Sequence, residues 1–168
     1  MNKKILTPIL LLSVSIMLLS FFQKPFAYTL RAIDPATGQA SSTLEKSTAN
    51  LQKGKGKNST ASVFIISGAK SSIRLKISQA VFQSESDKST LTMNPADYIV
   101  LYRLTTEKNN RSLSIGESLI PTTFTSVYQD AYRVAPSSGL IPGEYAFVDK
   151  STTTADGNFA IWAFGVDQ

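Results

Sequence analysis

From Ser62 onward, apolar residues in this chain recur at every second position, and turn formers break the runs. Ile73, Leu75 and Ile77 alternate with Arg74, Lys76 and Ser78; Tyr98, Val100, Tyr102 and Leu104 share one parity while Ile99 and Leu101 fill the other. Side chains that alternate across a pleat have this period, and a helix does not. Val63–Ile66 reads as a short strand stopped by Ser67-Gly68. Ala80 and Phe82 resume in the opposite parity, which implies a bulge near Ser78–Gln79. Glu107-Lys108-Asn109-Asn110 reads as a hairpin turn, because Asn tolerates positive φ, with Leu113 and Ile115 returning on one face. Tyr128–Val134 is expected to be extended, with Tyr132 and Val134 inward and Arg133 outward. Ile141-Pro142-Gly143-Glu144 reads as a type II turn that launches the strand Tyr145–Val148. Phe159–Val166 is almost wholly apolar, which predicts a central strand covered on both faces. Glu85–Asn94, Pro121–Ser126, Pro136–Gly139 and Asp149–Asn158 are expected to be loops or irregular. Before this region, a turn is expected at Asp34–Gly38 and one short helix over Ser42–Leu51, on Leu44, Ala49 and Leu51. The expectation is all-β: an antiparallel β-sandwich of about seven or eight strands, Ig-like or jelly-roll-like, over residues 61–168. Residues 28–60 form a polar, irregular segment ahead of it.

The chemistry open to such a chain is narrow. The 168 residues include no cysteine and no histidine. Disulfide frameworks, thiolate nucleophiles, zinc ribbons, His-based triads and His-ligated metals are therefore excluded. Carboxylate, lysine, serine and tyrosine remain.

Residues 1–27 are expected to lie outside the fold. Met1-Asn2-Lys3-Lys4 is basic, Ile5–Phe22 is apolar apart from Thr7, Pro8, Ser13, Ser15 and Ser20, and Gln23–Ala27 closes the stretch. This is the layout of a bacterial secretory signal with cleavage after Ala27; an uncleaved anchor, positive end inside, is the alternative. Either way the remainder is exported, to the periplasm, the cell surface or the medium. The formal charge of +5 falls to +2 for residues 28–168, with 14 basic against 12 acidic residues. So small an excess does not make the footprint of a nucleic-acid binder.

Three strings recur in order: Ile66–Leu75 (ISGAKSSIRL), Ile141–Phe147 (IPGEYAF) and Phe164–Asp167 (FGVD). Over residues 60–168 the chain resembles a loose group of uncharacterised secreted bacterial proteins. The resemblance implies secretion and β structure, and transfers no functional residue.

Each candidate for chemistry competes with a plain structural role. Ser67-Gly68-Ala69-Lys70 matches S-x-x-K, but that chemistry needs a helix start to bring lysine beside serine, and the match lies between two strand runs. Lys53, Lys55 and Lys57 with two glycines fail as a Walker motif and remain a basic loop able to meet an anionic surface. Asp149, Asp156 and Asp167 are a candidate set for a hard cation. Tyr98, Tyr102, Tyr128, Tyr132 and Tyr145, with Trp162, are a candidate sugar-binding face. Asn58 and Asn110 head glycosylation sequons that a bacterial protein leaves unused. The expectation is a non-enzymatic, exported β-sandwich protein with a binding or envelope role, with no catalytic, metal or cofactor residue assigned. No partner is assigned; an envelope protein or a glycan is the candidate class, and the membrane is expected to be met only through an uncleaved N-terminus. A carbohydrate-binding module using exposed tyrosines is the alternative, and a His-independent hydrolase the third reading.

Overall fold

The computed structural model describes residues 28–52, 62–76, 80–86, 94–116, 118–128 and 130–168. Residues 1–27, the Lys53–Lys57 run, Asn58 and the Ser78–Gln79 bulge position lie outside these. The strands are β1 Tyr28–Ile33, β2 Ala40–Thr43, β3 Glu45–Gln52, β4 Val63–Ser67, β5 Arg74–Leu75, β6 Phe82–Ser86, β7 Ile99–Glu107, β8 Asn110–Ser114, β9 Leu119–Ile120, β10 Thr122–Tyr128, β11 Ala131–Pro136, β12 Gly143–Asp149 and β13 Phe159–Val166. A single helical turn, α1 Pro95–Tyr98, is capped by the Asn94 side chain, and a 3₁₀ turn spans Lys150–Thr152.

The fold is all-β, with antiparallel sheets. One sheet runs β10-β11-β6-β1-β2. The other runs β12-β13-β3-β4-β8-β7-β9, and because β12 also pairs with β7 it closes into a six-strand barrel. The short β5 adds to β13 in parallel. The chain passes between the two sheets several times, at Leu44 between β2 and β3 and at Pro121 between β9 and β10.

Strand parity explains both apolar cores. Inside the barrel lie Ala49, Phe64, Ile66, Tyr102, Leu104, Leu113, Ala146, Val148, Ile161 and Ala163. The opposite parity of β7, β12 and β13 faces the five-stranded sheet: Leu101, Tyr145, Phe147, Trp162 and Phe164 pack against Tyr28, Leu30, Phe82 and Val134. Phe82 meets Phe147 edge-on with ring centroids 5.0 Å apart, and lies 4.9 Å from Phe164. Thus β13 is buried on both faces, as its unbroken apolar run implies.

Several expectations need correction. Ser42–Leu51 is not a helix but the end of β2 and most of β3: Leu44 turns to the layer between the sheets, Ala49 and Leu51 to the barrel, and pairing with β13 and β4 outweighs a weak helical pattern. Pro121–Ser126 is not irregular, because Thr122–Tyr128 pairs with β11 as β10. The hairpin between β7 and β8 stands at Lys108-Asn109, yet neither Asn109 nor Asn110 has positive φ. Gly143 does not occupy a type II turn: its φ is 158°, not near +80°, and it opens β12 opposite Val166. The turn at Asp34–Gly38 is present, closed by Gly38 N–H donating to Asp34 O at 2.7 Å.

Candidate functional site

The inward parity carries charge at one end of the barrel. On β8, Arg111 shares its side with Leu113; on β12, Glu144 with Ala146; on β3, Glu45 with Ala49. Arg111 is only 1% exposed. Its Nη2 donates to Glu45 Oε1 at 2.9 Å and to Ser67 O, its Nε donates to Gly68 O, and its Nη1 lies 3.6 Å from Glu144 Oε2. Gly68, at φ 86°, turns the chain end of β4 so that its carbonyl reaches this guanidinium.

A second guanidinium comes from outside. Arg74 on β5 crosses Gly165 of β13 and pairs with both Glu144 and Asp167. A methyl at Gly165 would stand 1.7 Å from Arg74 Nη1, so the glycine leaves the space that the guanidinium occupies. Ser71 ties the two glutamates together: its N–H donates to Glu144 Oε2 at 2.8 Å and its hydroxyl to Glu45 Oε2 at 2.6 Å. The electrostatics follow the geometry. Burial pushes the Glu45 carboxyl up, but hydrogen bonds from Ser71, Arg111 and the Ser72 N–H outweigh it and leave the group below its ordinary value. The bonds from Arg74 hold the Asp167 carboxyl down, and Asp167 in turn raises the Arg74 guanidinium. The three strings Ile66–Leu75, Ile141–Phe147 and Phe164–Asp167 supply Gly68, Ser71, Arg74, Glu144, Gly165 and Asp167, so the fold gathers them at this barrel end.

The expected sets do not assemble. Ser67 ends β4 and Lys70 lies on the bend after it, both exposed and neither on a helix, so the lysine is not stacked over the serine. Asp149 and Asp156 lie at the loop end of the β12–β13 hairpin and Asp167 at the other end, beyond the Gly143–Val166 pair. Among the described residues no three acidic side chains come together as metal ligands. The tyrosines are divided: Tyr102 is inside the barrel, Tyr145 and Trp162 lie between the sheets, and Tyr128 is exposed.

Two further places carry unusual chemistry. Asp149 is fully buried; its Oδ1 accepts from the N–H and hydroxyl of Ser151, while Oδ2 has no hydrogen-bond partner. Burial first, then the Asp149 charge, pushes the Tyr28 phenol up to about 12. The other place is a groove of about 410 Å³ beside β9, walled by Leu119, Ile120, Leu140, Ile141 and Tyr145 with Arg103 at its rim. Leu119 and Ile141 are 52% and 56% exposed, and Ser118 next to them holds a φ of 58°. Arg103 Nη2 donates to Pro142 O at 3.3 Å, and the Tyr145 hydroxyl to Ile141 O at 2.5 Å, which fixes the groove's far wall.

Sequence reasoning missed Glu45, Arg111 and Glu144. The signal was present for Arg111 and Glu45, charges on the parity of the buried Leu113 and Ala49; Glu144 is the charge of a strand buried on both parities. Comparison with protein-family models, with curated proteins and with solved structures found no match.

Proposed function

We propose that this is an exported, non-enzymatic β protein that works through its outer surface, by binding a partner or as part of the cell envelope. The observation that carries the reading is the state of the barrel. Its interior is filled by side chains, and the charged groups at its end are bonded to one another. Such packing favours work at the outer surface over a ligand held inside the barrel. The surface is where apolar residues stand in water, and the groove at Leu119 and Ile141 is a concave part of it with exposed apolar walls. On this reading the five-stranded sheet and the barrel wall beneath it form a sandwich-like pair of layers, and residues 1–27 are the export signal.

The test has two arms. Mass spectrometry of protein from the host's envelope should show a chain beginning near Tyr28. A cross-linker placed at Ile141 should trap an envelope partner, and Leu119→Asp should abolish the adduct without changing the melting curve. Turnover in a fluorophosphonate or glycosidase screen, retained after the groove is altered, would overturn the non-enzymatic reading.

A further inference from the structure

Closing the barrel leaves it only the two-residue edges of β5 and β9, so the longer open edges of the described fold belong to the five-stranded sheet, at β2 and β10. β2 is four residues long, whereas β10 runs for seven, Thr-Thr-Phe-Thr-Ser-Val-Tyr. An exposed edge is normally blunted by charge, proline or brevity, because its free N–H and C=O groups template another strand. β10 has no charge, proline or glycine within it. Among the described residues its backbone bonds go to β11 alone; α1 lies near it but supplies none. The flat part is Thr122–Ser126, in unbroken register with Pro136–Tyr132, before a bulge precedes Tyr128.

We propose that two copies of this chain pair through β10, antiparallel about a two-fold axis at Phe124, and join their sheets into one. The self-complementarity lies in the sequence of the strand. An axis at Phe124 sets Phe124 against its own copy, Thr123 against Thr125, and Thr122 against Ser126. Phe124 is half-buried, packed on the layer between the sheets from one side, and its copy covers the other. The outer face meets as threonine on threonine, a favourable cross-strand pair. No like charges oppose each other along the ladder, and a net charge of +2 for residues 28–168 opposes association only weakly. An isologous interface of this kind closes at two copies.

The lack of any cysteine makes the register directly readable. Cross-strand partners lie about 4.5–5.5 Å apart between Cα atoms, within disulfide reach. Thr123→Cys with Thr125→Cys in one chain should oxidise to a covalent dimer, while either single variant should not, because each then faces threonine. Sedimentation equilibrium of the purified protein should give twice the chain mass, and Thr123→Lys with Thr125→Lys should return it to the single mass with an unchanged melting curve. A single-mass species up to about 1 mM, too weak to count as specific pairing, would overturn the proposal. So would a dimer that survives both lysines, or cross-linking by the single cysteine variants.

Discussion

At the residue scale, the barrel end depends on groups that have no alternative partner. Arg111 is almost fully buried and serves two glutamates and two carbonyls. Truncating one member of a buried ion network leaves the others charged in a poor solvent, which costs about 3–5 kcal/mol. Arg111→Met should lower stability by that amount in a urea melt at constant slope, and Arg111→Lys should recover only part, since an ammonium cannot match the guanidinium fork. Gly165 offers a sharper test. Any Cβ there displaces the Arg74 guanidinium, which strips Glu144 of one of its two cations. Gly165→Ala should therefore destabilise by about 1–3 kcal/mol. In an Arg74→Ala background the same change should cost far less, because nothing is left to displace. A double-mutant cycle that returns additive values would separate the glycine from the ion network.

At the scale of elements, the barrel is narrow and its small residues are placed to admit its large ones. Tyr102 lies beside Ala146 on β12, and Ala146 beside Ala163 on β13, so the ring has room. Ala163→Leu should overpack the interior and cost about 1–3 kcal/mol, whereas Thr48→Val on the exposed parity of β3 should stay within about 0.5 kcal/mol. Urea midpoints for the two variants decide it. This packing also shows which elements could be read in advance. β4, β12 and β13 were legible because their apolar runs agree with the final pairing, although β12 begins at Gly143, inside the turn expected ahead of it. β3 and β10 were not, because Ser, Thr, Lys and Asn fill their exposed parity and the reason for the strand is a partner far along the chain. Closure was illegible for the same reason: the β12–β7 pairing joins residues 40 to 50 positions apart, and local periodicity is silent on which strands meet. The barrel-end cluster was half legible. Its residues stand on the buried parity, but convergence of β3, β5, β8, β12 and β13 is a property of the topology.

At the scale of the whole molecule, stability is bounded by acid on one side and alkali on the other, at different places in the fold. Glu45 has a folded-state pKa below its ordinary value, so its bonds stabilise the fold above the unfolded carboxylate value near 4.5 and lose that stabilisation as pH falls through the lower folded value. Tyr28 shifts the other way. Its phenol is pushed from 10.0 to about 12, so the neutral form is favoured by folding. That stabilisation is complete below pH 10 and is lost as pH rises toward about 12, when ionisation would set a phenolate beside the Asp149 carboxylate. Thermal melts should therefore hold a plateau from about pH 5 to pH 10 and fall on both flanks. Tyr28→Phe removes one titrating hydroxyl and should shrink the alkaline flank while leaving the acid one; burial raises Tyr102 and Tyr145 as well, so part of the flank stays. Glu45→Gln keeps the shape of the side chain without its proton equilibrium and should shrink the acid flank to what Asp167 contributes while leaving the alkaline one, from a lower plateau because Arg111 loses a counter-charge. An alkaline flank that is unchanged in Tyr28→Phe would place the titrating group at another buried tyrosine, Tyr102 or Tyr145.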